Sequence, residues 1–233
     1  MELTEKTLDV LRNYASINSS IIIESGNVVR TTSPTKQVLS KSKLDDEFTN
    51  TFGIYDLNEL LRTINLVDAP RLFFEDKYMS INDGSGRSRI KYFYCETDIL
   101  HEHIRNIVKS DHDSMIVMPE CEVKFTLDSK TLSQIKKAAA ILGHSIFAVS
   151  AKDGIMNLSV QDLESKSSNS FTMDVDGEFQ NEEFSFHFKI ENLKMIDGDY
   201  DVGISSRKIS HFVNKESNIE YWVACEKSST YGG

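Results

Sequence analysis

The chain has 233 residues, of which 39% are hydrophobic and 27% charged, the balance of a globular protein with room for one large domain or two small ones. Lys and Arg number 26 against 36 Asp and Glu, a net charge of −10, and that excess of acid argues against nucleic acid as a partner, because phosphate requires a positive surface. No apolar run approaches the roughly 20 residues of a membrane span, and Met1 to Leu11 lacks a signal-peptide core, so the expected location is the cytoplasm with no membrane partner.

From Leu3 to Ile17, a step of 100° per residue gathers Leu3, Leu8, Val10, Leu11, Tyr14, Ala15 and Ile17 on one half of the wheel. This predicts an amphipathic helix whose outer face mixes charges, with Glu5 and Asp9 beside Lys6 and Arg12. Strand-like runs follow at Ser20 to Glu24, Val28 to Thr32 and Glu47 to Tyr55, with Gly26-Asn27 placed for a hairpin turn. A second helix is predicted from Asp56 to Leu66. Asp56 as N-cap with Glu59 three residues on is a capping-box pattern, Leu57, Leu60, Leu61 and Ile64 form one stripe, and Arg62 is on the polar face.

Arg71 to Asn82 and Arg89 to Cys95 read as strands, and Asp98 to Glu120 as a polar linker. Within it, His101, His103 and His112 stand near Glu102, Asp111 and Asp113, which leaves open a transition-metal site or a solvated loop. The linker also carries five apolar residues in a row, Met115, Ile116, Val117, Met118 and Pro119. They read either as a core-covering strand or as a Met-rich edge for short hydrophobic peptides, since thioethers adapt to several partners.

A third helix is predicted from a cap at Asp128 or Ser129 to Leu142, stopped by Gly143. Leu132, Ile135, Ala138, Ala139 and Leu142 form its buried stripe, and Lys130, Lys136 and Lys137 stand on its outer face with no acid between Lys130 and Gly143. In a chain this acidic, that local absence is informative. Strands are expected from Glu122 to Leu127, Ser145 to Ala151, Ile155 to Gln161, Ser170 to Asp176, Phe184 to Ile190, Tyr200 to Ser205, Ile209 to Asn214 and Ile219 to Glu226, with Asp153-Gly154 in a hairpin turn. A short fourth helix is expected from Ile190 to Ile196, presenting Lys194.

The two halves repeat one order of elements, which implies two domains of one class. Three scattered cysteines argue against a disulfide framework and a zinc site, Asp83-Gly84-Ser85-Gly86-Arg87 lacks the ending of a phosphate loop, and no nucleophile elbow occurs. Nothing points to an enzyme or to a cofactor. The lysine face reads either as a solvated surface or, gathered with Lys6, Arg12, Arg62 and Lys194, as a stripe that tracks phosphates without reading bases.

In Tyr14-Ala15-Ser16-Ile17-Asn18-Ser19, Ile54-Tyr55-Asp56-Leu57-Asn58, Lys152-Asp153-Gly154, Asn192-Leu193-Lys194-Met195 and the ending around Tyr221 and Val223-Ala224, the chain resembles the sliding clamps, or DNA polymerase processivity factors, of T4-type bacteriophages. The resemblance implies an α+β fold of two similar domains, each an antiparallel β-sheet with two helices, at residues 1–110 and 122–233, joined by a connector at 111–121. It also implies a homotrimeric ring around duplex DNA in the infected host cell, opened by a clamp loader and tethering DNA polymerase. Under it, Lys6, Arg12, Arg62, Lys130, Lys136, Lys137 and Lys194 are the expected DNA contacts, and Met115 to Pro119 the expected seat for partner peptides. The remaining alternatives are a metal-dependent enzyme built on His101 to Asp113 and a β-rich assembly protein that does not bind DNA.

Overall fold

The computed structural model describes residues 1–109, 117–165, 167–180 and 182–232. The chain divides into two compact units, one of Met1–Met115 with Ser217–Ile219 and one of Ile116–Glu216 with Glu220–Gly233. The seat expected at Met115 and Ile116 and the histidine at His112 lie outside the described residues.

In the first unit, helix α1 spans Glu5–Ile17 and helix α2 spans Leu57–Ile64. The Thr4 hydroxyl caps α1 by accepting from the Thr7 amide at 3.2 Å, and the Asp56 carboxylate caps α2 by accepting from the Glu59 amide at 3.1 Å. Their apolar stripes are buried: Leu8, Val10, Leu11 and Tyr14 on α1, and Leu57, Leu60, Leu61 and Ile64 on α2. The two helices pack on each other, and α1 also covers the antiparallel pair Gly26–Thr32 and Val38–Phe48. Tyr14 ties helix to sheet, its hydroxyl accepting from Ser40 Oγ at 3.1 Å.

Strand Val38–Phe48 extends well before the predicted start at Glu47, because its inward positions include Ser40 and Ser42, which are buried serines. The turn expected at Gly26-Asn27 does not join a hairpin. Ile21–Ile23 pairs with Phe52–Ile54, while Gly26–Thr32 pairs with Val38–Phe48. The run from Arg71 to Asn82 is two strands, Arg71–Phe74 and Tyr78–Asn82, turned back at Glu75, whose amide donates to the Tyr78 carbonyl at 3.0 Å. With Arg89–Phe93 they form a three-stranded antiparallel sheet. The segment read as a polar linker contains helix α3, Glu102–Lys109, anchored by Ile104 in a small buried cluster with Ile22 and Leu100.

In the second unit, helix α4 spans Ser129–Leu142 and lies on strands Ile146–Lys152 and Ile155–Gln161. Those strands meet across Asp153-Gly154, both with positive φ (53° and 79°), the combination a two-residue hairpin of this twist requires. They belong to an antiparallel sheet ordered Phe171–Asp174, Ile155–Gln161, Ile146–Lys152, Phe184–Lys189, Thr230–Tyr231. Gly177–Phe179, Val123–Leu127, Tyr200–Ser205 and Ile209–Asn214 pair in succession in another sheet. Phe147, Phe186, Phe188, Phe212 and Tyr200 are fully buried between them, each such side chain contributing about 1.5–3 kcal/mol. Phe184, Phe186 and Phe188 point inward as the alternation predicts, but His187 is buried as well. Its ring lies 2.8 Å from both Ser185 Oγ and Ser228 Oγ, and its amide donates to Ser229 Oγ at 2.9 Å, so the last residues cover it.

The fourth predicted helix is a single 3-10 turn, Ile190–Asn192. Leu193 leaves helical geometry at φ −85° and ψ 46°, which lets both Leu193 and Met195 reach the core. Lys194 therefore projects from an irregular segment and not from a helix.

Candidate nucleic-acid interface

Helix α4 is fixed at both ends. The Asp128 carboxylate accepts from the Thr131 amide at 2.6 Å, and these bonds to Thr131 hold it below the usual carboxylate range. Gly143 ends the helix at φ 70°. Leu132, Ile135 and Ala139 are buried, while Ala138 and Leu142, predicted for the same stripe, are half-buried. That placement turns Lys130, Gln134 and Lys137 to solvent. Lys130 and Lys137 are seven residues apart, so they stand one above the other, about 10 Å apart along the axis. Neither has an ion pair within 4.0 Å among the described residues, and α4 carries no acid.

Lys136 is different. It is half-buried, and its Nζ donates to the Met195 carbonyl at 3.4 Å. Desolvation lowers its pKa, with Asp197 pulling the other way. Its charge is turned toward the protein, away from the solvent face that Lys130 and Lys137 share.

The two cations expected to make DNA contacts from α1 are offset by neighbours. Arg12 is held by Asp9 at 2.8 Å and Glu5 at 3.4 Å on its own helix, and Lys6 reaches Asp45 at 3.7 Å. The outer face of α1 is therefore close to neutral. Arg62 is exposed in the last turn of α2, where a cation suits the helix dipole. Lys194 is exposed. The structure thus concentrates positive charge on α4 and spreads little of it over α1.

Of the apolar connector run, Val117 is exposed and Met118 and Pro119 are half-buried. Just beyond, Cys121 rests on Gly203, where an added Cβ would come within 2.8 Å of Sγ. It borders an open groove of about 700 Å³ whose walls, including Lys124, Asp201 and His211, are polar as well as apolar. The His211 ring stacks on Trp222 at 4.7 Å and lies 2.8 Å from Glu220. Nothing in the spacing of these residues along the chain announces that groove. His101 and His103 stack at 5.5 Å, and among the described residues no three His, Cys, Asp or Glu side chains converge as a metal site.

Residues 4–94 match the family described as DNA polymerase processivity factor, and residues 124–227 match gp45 sliding clamp, C terminal. The sliding clamp of Vibrio phage KVP40 is 30% identical over 97% of this chain and 99% of its own. The chain belongs to the sliding clamp family. The sliding clamp of Escherichia phage RB69 is 26% identical over 99% of both chains. Among solved structures, A. fulgidus PCNA bound to the C-terminal region of FEN-1 superposes with a TM-score of 0.67 at 15% identity, covering 98% of each chain. That similarity carries the fold: α+β, with antiparallel sheets and few helices. As a sliding clamp, the chain is a DNA polymerase processivity factor of phage type. Its acidity does not conflict with that role, because net charge says nothing about which face carries the lysines.

Proposed function

We propose that three copies of this chain close into a ring around duplex DNA and tether the polymerase to its template without a catalytic step of their own. The observation that supports the reading is α4, a capped helix whose solvent face carries Lys130 and Lys137 and no acid. Such a face neutralises phosphates and reads no base, which is what a sliding contact needs. Lys130 and Lys137 are the principal contacts, supported by Arg62 and Lys194. Lys136, Lys6 and Arg12 are secondary, because each is turned to or paired with protein groups.

A clamp loader opens the ring, since a closed ring has no free end through which circular DNA can enter. Acid elsewhere on the chain repels DNA from unproductive faces. Partner peptides dock beside the connector, where Val117, Met118 and Pro119 precede residue 122, the start of the C-terminal domain; the N-terminal domain ends at residue 110. Light scattering at micromolar protein tests the assembly: the reading requires three times the subunit mass of 26.5 kDa. A monomer at every concentration overturns it.

A further inference from the structure

The three-stranded sheet of the first unit has one buried face and one open one. Leu72, Met79 and Ile81 are buried on the first. On the open face the register sets Arg71, Asn82 and Arg89 in one row and Phe73, Ser80 and Lys91 in the next. Tyr78 and Phe93 form a third row, their ring centroids 5.6 Å apart. No acid occurs at these strand positions, in a chain with ten more acids than bases, and the nearest along the first strand is exposed Glu75, at the turn opposite Tyr78.

Phe73 is 47% exposed and Phe93 66% exposed, so two phenyl rings stand open on a sheet where a globular protein would normally place polar side chains. Lys91 lies over the Tyr78 ring with Nζ 4.8 Å from its centroid, which holds the ammonium among the aromatics. Arg71 is partly offset by Glu2 at 2.9 Å, leaving Arg89 and Lys91 as the exposed cations of the third strand.

Exposed rings interleaved with cations on an antiparallel sheet form a stacking platform with phosphate contacts beside it. A duplex can use only the cations, since its bases are already stacked on one another; a single strand can use both. We propose that this sheet face binds single-stranded DNA, with bases stacking on Phe73 and Phe93 and phosphates on Arg89 and Lys91. The surface belongs to the first unit, and the proposal makes no use of the lysine face of α4.

The test is fluorescence anisotropy with short labelled oligo(dT), using the full-length protein. Phe73→Ala and Phe93→Ala each weaken binding about tenfold, while Phe93→Trp retains it, because stacking needs an aromatic surface and not a particular ring. Arg89→Gln with Lys91→Gln lowers the log–log salt slope by about 1.4, at roughly 0.7 per phosphate on single strands. Duplex affinity is unchanged in all of these variants. The proposal is overturned if the alanine variants bind oligo(dT) like the parent or if duplex of equal length competes equally well. It is also overturned if Phe93→Ala changes the oligomeric mass, which would make the face a contact between copies.

Discussion

Lys136 and Lys137 are adjacent in sequence, yet one side chain is half-buried and the other exposed, and the proposed reading gives their variants different outcomes. Lys137 is exposed on the acid-free face of α4, whereas Lys136 Nζ is committed to the Met195 carbonyl at 3.4 Å. In a trimer, Lys137→Gln removes one phosphate contact per copy. At about 0.9 per contact on duplex DNA, the log–log salt slope falls by about 2.7. Between 50 and 200 mM salt, the parent then loses about fortyfold more affinity than the variant. Lys136→Met leaves the slope unchanged and costs no more than about 1 kcal/mol of stability, the worth of one ordinary hydrogen bond. The assay is equilibrium anisotropy with a short linear duplex across that salt range. Equal slopes for parent and Lys137→Gln would refute the reasoning, as would a fall in slope on Lys136→Met.

Three further outcomes test the fold of the two units. Glu24→Ala removes a carboxylate bonded at 2.6 Å to Arg30, whose side chain is 2% exposed, and destabilises the first unit by about 2 kcal/mol in urea titration, the worth of one hydrogen bond between charged groups. Gly143→Ala costs about 1 kcal/mol: a Cβ meets nothing within 4 Å, so only the left-handed backbone at φ 70° is penalised. Burial lowers the His187 pKa from its usual 6.5, partly opposed by Glu226, so the unfolded chain binds the proton more readily than the folded one. Stability is therefore retained above pH 6.5 and lost as pH falls below it, and His187→Gln flattens that dependence in thermal melts at pH 5.5 and 7.5.

Helix α1 was legible from its apolar period alone, and α2 and α4 from period and cap together; Thr4, Asp56 and Asp128 each accept the amide three residues on. Helix α3 was hidden by its polar flanks, and its one described anchor, Ile104, gains meaning only from Ile22 and Leu100 brought against it by the fold. Strand Val38–Phe48 escaped the alternation test because serines occupy inward positions, where Ser40 bonds Tyr14 across the core. The run from Ile190 to Ile196 has helical spacing, yet burial of Leu193 and Met195 wins over helix continuation.

At the candidate interface, sequence distinguishes α4 from α1, since Glu5 and Asp9 lie one or two turns from Arg12. It does not distinguish Lys136 from Lys137, because the carbonyl that holds Lys136 is 59 residues away. Nor does it show that Phe73 and Phe93 share a face with Lys91, which depends on the hairpin turn at Glu75 and the register of three strands. Charge is therefore informative only after folding has assigned each residue to a face.

Enclosure of DNA is the central claim, and retention on a closed circle measures it most directly. After loading onto nicked circular duplex by the cognate loader, the clamp is predicted to stay bound through gel filtration at high salt and to run off when a single cut linearises the circle. Loss from the intact circle at the same rate as from the linear form would contradict enclosure and reduce the protein to an ordinary electrostatic binder.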